Sequence, residues 1–176
     1  MGYTLSNVGR ASPVREGILA DFVLDDQGIV GPCKLCGQRN RVAYERMSGE
    51  ATCGKCRKPL PPPDSPMAVE AKFGYLRLLA NAGGPVLAAY LKPNDDASDR
   101  LLAELKALAA IDAGKILIAT VDAERFADLV KMYEADPQPM LVLHIGGQET
   151  KLRQGYLPSA EVRRWLVASL APPAPA

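Results

Sequence analysis

All four cysteines of this 176-residue chain fall in one stretch, Cys33-Lys-Leu-Cys36 followed by Cys53-Gly-Lys-Cys56. Two C-x2-C pairs with sixteen residues between them have the spacing of a four-thiolate zinc site, in which each pair offers two sulfurs from a tight turn and the intervening loop closes a tetrahedron. Gly37 after the first pair and Gly54 inside the second supply the backbone freedom that lets amides point at sulfur. The same thiols could instead form disulfides or act as redox-active dithiols. Tight coordination would preclude that chemistry, because a metal-bound thiolate is not a free nucleophile. The one histidine, His144, lies in an apolar run and reads as a packed, hydrogen-bonded strand residue rather than a catalyst.

These residues need a scaffold, and the composition provides one. A hydrophobic content of 48% is that of a globular chain. No run of eighteen apolar residues appears and the first thirty residues lack a signal-peptide pattern, so the expectation is a protein of a reducing cytoplasm with no membrane insertion and with thiols free for metal. The net charge is only +1, yet Lys34, Arg39, Arg41, Arg46, Lys55, Arg57 and Lys58 crowd residues 31–60 against Glu45 and Glu50 alone. Such a basic module can bind nucleic acid, or its cations can offset the negative charge of a zinc tetrathiolate. Tyr44 is its one aromatic, which leaves little to stack on bases.

The chain divides by composition into an N-terminal extension (1–30), a ribbon (31–60), a proline-dense linker (61–66), a larger domain (67–170) and a solvated tail (171–176). In the extension, the apolar segment 18–24 is expected to form a short strand that packs on its own protein or covers a partner. In the larger domain, Val69, Phe73, Leu76 and Leu79 predict the apolar face of a helix over 67–81. A buried strand follows at 85–91. Asp95 and Asp96 cap a helix with its apolar face at Leu101, Leu102, Leu105 and Leu108, ended by Gly114. A second buried strand at 116–121, a helix over 123–133, strands at 139–145 and around 150–154 joined by a Gly146-Gly147 turn, and a helix over 159–170 complete the pattern. Strands alternating with helices and closing on a hairpin and a last helix describe an α/β domain, a mixed sheet covered on both faces.

Over residues 31–170 this pattern resembles the zinc-ribbon thioredoxins of the bacterial thioredoxin-2 type. The resemblance rests on Cys36-Gly-Gln-Arg-Asn-Arg-Val42, Glu45-Arg46, Cys53-Gly-Lys-Cys56 and Pro59-Leu60 in the ribbon, and on Pro85-Val86-Leu87, Tyr133, Gln138-Pro139, Gly155 and Pro158-Ser159-Ala160-Glu161 beyond it. It implies a thioredoxin fold behind a ribbon holding one structural zinc ion on Cys33, Cys36, Cys53 and Cys56. The resemblance breaks at the family's redox motif. Counting from Pro85, its two cysteines fall at Asp95 and Ser98, its tryptophan at Asn94 and its buried aspartate at Ala89, and no cysteine exists beyond Cys56. Thiol–disulfide exchange needs an attacking thiolate and a second sulfur, so the larger domain is expected to be redox-inactive. Asp95, Asp96 and Asp99 then read as helix-start chemistry or as an acidic site for a cation or a basic partner. Ser98 lacks a base for nucleophilic work. What the resemblance leaves is a peptide-facing groove at Gln138, Pro139, Met140 and Gly155, with a cis bond before Pro139. The expected role is a protein-binding module or a subunit of a larger complex. Thiol oxidoreduction by the ribbon cysteines and nucleic-acid binding are the alternatives.

Overall fold

A computed structural model describes residues 20–47, 49–133 and 139–171. Most of the expected extension (1–19), Gln138 with its bond to Pro139, and the tail beyond 171 lie outside the described residues.

Eight strands form one sheet: β1 (Phe22–Asp25), β2 (Gly28–Pro32), β3 (Arg39–Val42), β4 (Met67–Val69), β5 (Val86–Leu91), β6 (Leu117–Asp122), β7 (Met140–Ile145) and β8 (Gln148–Gln154). Their spatial order is β3-β2-β1-β4-β6-β5-β7-β8. The four inner strands β1, β4, β6 and β5 run parallel, and each flank is an antiparallel hairpin. Strand β5 reads Val-Leu-Ala-Ala-Tyr-Leu and is buried along nearly its whole length, as a strand must be when helices cover both faces. Its alternation feeds two cores. Val86, Ala88 and Tyr90 join Leu24, Tyr44, Tyr75, Leu78 and Leu129 on one face, while Leu87 and Ala89 join Leu101, Leu105, Leu108, Val162 and Leu166 on the other.

Four helices supply those layers: α1 (Lys72–Asn81), α2 (Asp96–Ile111), α3 (Ala127–Lys131) and α4 (Ser159–Leu170). The periodicities of α2 and α4 place Leu101, Leu105, Leu108, Val162 and Leu166 inward, as their spacing requires. This is the expected α/β thioredoxin fold, with the four cysteines gathered in front of it.

Three elements differ from the sequence expectation. Met67–Val69 is a strand between β1 and β6, not the first turn of α1, because a three-residue apolar run carries no period of its own and is settled by its neighbours. The buried face of α1 is Gly74, Tyr75, Leu78 and Leu79, leaving Phe73 72% and Leu76 39% exposed. Helix α3 is one short turn, since the Asp122 carboxylate accepts from the amides of Glu124 and Arg125 at 3.0 Å each and holds 123–126 as a turn.

The described end of the extension packs on its own protein. Strand β1 pairs with β4 on one side and with β2 on the other, and β2 runs across position 30 into the first cysteine pair. The 3-10 turn Tyr44–Arg46 docks the ribbon on α1: Tyr44 donates its hydroxyl to Asp25 O at 2.7 Å, and Arg77 pairs with Glu45 and lies 5.6 Å from the centre of the Tyr44 ring. Gly74 makes this approach feasible, since a Cβ there would lie 2.2 Å from Asp25 O and 2.9 Å from the Tyr44 hydroxyl.

His144 is buried on β7, where its Nε2 lies 3.2 Å from the Tyr75 hydroxyl, itself 3.1 Å from that of Tyr90. Its Nδ1 has no hydrogen-bond partner among the described residues. Burial pushes its pKa down from 6.5 to about 4, so between those values the unfolded chain binds more protons and stability falls as the pH drops. The loss by pH 4 is on the order of 3 kcal/mol. Urea melts at pH 7 and pH 4.5 should show it, and His144→Phe should flatten that part of the pH dependence; parallel pH profiles for wild type and variant would refute it.

Candidate metal centre

Both cysteine pairs sit in turns built to one plan. In the first, Cys33 N donates to Gln38 O at 2.8 Å and Gly37 N to Cys33 O at 2.8 Å; in the second, Cys53 N donates to Lys58 O at 2.8 Å and Arg57 N to Cys53 O at 3.0 Å. The closing residue of each turn is left-handed, Gly37 at φ 71° and Arg57 at φ 62°. Strands β2 and β3 lead into and out of the first turn, and the Thr52–Pro59 bridge closes the second. Asn40 on β3 joins the two, its Oδ1 accepting from Gly54 N at 2.9 Å.

The result is a single cluster of sulfurs within 4.8 Å of one another. Cys33 Sγ and Cys56 Sγ are 3.7 Å apart, and Cys36 Sγ and Cys53 Sγ are 3.6 Å apart. A zinc–sulfur bond of about 2.3 Å gives a tetrahedron edge of about 3.8 Å, so these separations suit one shared ion, and they far exceed a disulfide bond of about 2.05 Å. The donor set is four cysteines with two buried and two half-buried, which fits a closed, four-coordinate site.

Local dipoles prepare the thiolates. The amides of Cys56 and Lys55 bring Cys53 down to about 6, and those of Leu35 and Cys36 lower Cys33. The Gln38 amide acts the same way on Cys36, but burial and the neighbouring sulfurs of Cys53, Cys56 and Cys33 push it up to about 11.

At the carboxyl end of β5, Asp95 is the N-cap of α2, accepting from Ser98 N at 2.8 Å. That bond holds its carboxyl below the usual range. Ser98 is buried, and its Oγ accepts from Lys92 N at 3.0 Å. The two positions are thus brought together in a strand-to-helix turn whose polar groups are satisfied. Asp95, Asp96 and Asp99 do not converge as metal ligands: among the described residues the cysteines form the one such cluster. Tyr90 pairs with Met140, which puts Pro139 at the same end of the sheet, and Gly155 N donates to Pro139 O at 2.8 Å. Met140 is fully buried in the core, so its side chain contributes nothing to the surface beside Pro139.

Sequence reasoning missed a cleft of about 620 Å³ at the opposite, amino ends of β5 and β6. Its floor is one face of β1–β3, from Phe22 through Ile29 to Val42, and its walls include Met47, Leu60 and Leu117. Its lining is scattered between residues 22 and 117, and no local pattern announces it.

No helix among the described residues is long and apolar enough to cross a membrane. No family model matches the chain. The chain is 27% identical over 138 residues to Thioredoxin C-3 of Corynebacterium nephridii, an alignment that spans 76% of this chain and 90% of that protein. Likeness and architecture agree on a thioredoxin-like chain with four cysteines placed to hold a metal ion.

Proposed function

We propose that this chain is a redox-inactive, thioredoxin-like protein whose ribbon holds one structural zinc ion on Cys33, Cys36, Cys53 and Cys56, and that it acts by binding another protein, as an interaction module or a subunit of a larger complex. One observation carries the reading: where a dithiol would stand at the start of α2, a capping carboxylate and a buried serine hydroxyl are spent on backbone amides, and every sulfur of the chain's cysteines lies in the ribbon. The zinc ion, when bound, supplies cross-linking rather than chemistry. Its four ligands tie both turns to β2 and β3, and so fix the ribbon's outer surface against the sheet. Asp95 and Ser98 order the α2 start, and Pro139 with Gly155 shapes the backbone beside it for an extended peptide.

Native mass spectrometry of the protein drawn gently from its own cells tests this directly. The expected result is a mass with one zinc ion and a stoichiometric protein partner; a metal-free monomer with an oxidised cysteine pair would overturn it in favour of thiol chemistry in the ribbon. The zinc-loaded protein is also expected to show no turnover in an insulin-reduction assay. The double substitution Asp95→Cys with Ser98→Cys should gain only slow turnover, since Ala89 stands where the resemblance places the proton-transferring aspartate.

A further inference from the structure

Most of the ribbon's basic charge is not paired with a carboxylate among the described residues. Lys34 pairs with Asp64, and Arg41 with Asp25. Arg46, Lys55, Arg57 and Lys58 are exposed and have no carboxylate within 4.0 Å among the described residues, and the same holds for Arg39, whose guanidinium reaches only Val30 O at 3.4 Å. None of these side chains hydrogen-bonds a sulfur, whose side-chain partners are the other cysteines. The cations therefore do not serve the thiolates by direct contact.

Arg57 carries a second signal. It takes the left-handed conformation that Gly37 takes in the matching turn, a backbone state unfavourable for a side chain with a Cβ. Its side chain forms no hydrogen bond, ion pair or ring contact among the described residues that would offset this cost. Beside these cations the first turn exposes Leu35, 73% accessible at the place that Lys55 fills in the second.

We propose that the exposed side chains in and beside the two cysteine turns, Arg39, Lys55, Arg57 and Lys58 with Leu35, form a docking surface for an acidic segment of the partner protein, a proposal that rests on the protein-binding reading above. Charge complementarity sets the partner's sign, and Leu35 offers one apolar contact amid it. A single-stranded nucleic acid fits less well. The ribbon's one aromatic, Tyr44, is buried against α1 and spends its hydroxyl on Asp25, so no ring is left for base stacking.

The test uses the full zinc-loaded chain and two probes of equal charge, a deca-glutamate peptide and an oligothymidylate, titrated by NMR at low and physiological salt. Deca-glutamate should shift the amides of residues 34–39 and 53–58 and weaken steeply with salt. Arg57→Gly should weaken it about 3- to 10-fold while the melting temperature holds or rises, a combination that a purely structural Arg57 does not give. Lys55→Glu with Lys58→Glu should abolish the shifts with zinc retained. Tighter binding of the oligothymidylate, deca-glutamate shifts elsewhere on the chain, or equal affinity for Arg57→Gly would each overturn the proposal. If the chain drawn from cells keeps its partner when Lys55 and Lys58 are reversed, this surface is refuted while the protein-binding reading stands; the titration decides the surface even where that reading fails.

Discussion

On the proposed zinc site, serine in place of Cys53 should empty the metal centre and melt the ribbon, with zinc falling from one per chain to none. Cys53 is fully buried among the sulfurs, and its backbone closes the second turn through Lys58 and Arg57. A structural site holds its fold through the metal, so binding energy is folding energy. The damage should have a defined border. Strands β2 and β3 are continuous with the first turn, whereas β5, β6 and β7 draw on cores with α1 to α4. Hydrogen exchange should therefore accelerate across residues 28–60 while β5 and β6 stay protected, and removal of zinc from the native protein by a strong chelator should reproduce the pattern. Zinc retained at one per chain in the variant would show that Cys53 is not a ligand.

Gly74→Ala should destabilise the protein by about 3 kcal/mol, the upper end of what overpacking costs, and lower the melting temperature by roughly 10 °C. Helix propensity alone argues the reverse, because alanine inside a helix is favoured over glycine by about 1 kcal/mol. The position decides the sign. The new methyl would lie 2.2 Å from Asp25 O and 2.7 Å from Asp25 C, backbone atoms of a strand that cannot swing aside as a side chain would. Relief requires α1 to move off β1, which also breaks the Arg77–Glu45 pair and the bond from Arg77 to Asp26 O. A melting temperature equal to wild type would show that the helix and ribbon are not so tightly joined.

Much of this was legible in the chain. The C-x2-C spacing announced the sulfur cluster, because a tetrahedral site needs little more than two tight turns at the right separation. Helices α2 and α4 could be read from period, and strands β5 and β7 from continuous apolar runs, since each is long enough to average over neighbours. The failures are non-local. Phe73 and Leu76 fall at helical spacing yet face outward, because Gly74 and Tyr75 are claimed by Asp25, Tyr44 and Tyr90, partners that spacing within α1 cannot reveal. Met67–Val69 became a strand because it pairs with β1 on one side and with β6 on the other, partners that lie far from it in sequence. The cap at Asp95 was readable from Asp at the helix start, while the bond from Lys92 N to Ser98 that closes the turn was not.

Strand β1 precedes the ribbon in sequence but lies between the ribbon and β4 in space, so the two modules are interleaved rather than strung together. A fragment cut at the proline tract would bare the edge of β4, whose Met67 and Val69 are buried in the whole chain. An unpaired apolar edge recruits another strand, so such a fragment would have to borrow β1 from a second molecule. The ribbon cannot be lost or transplanted as a bead would be; duplication, deletion and shuffling of this module are constrained to carry the preceding strand along.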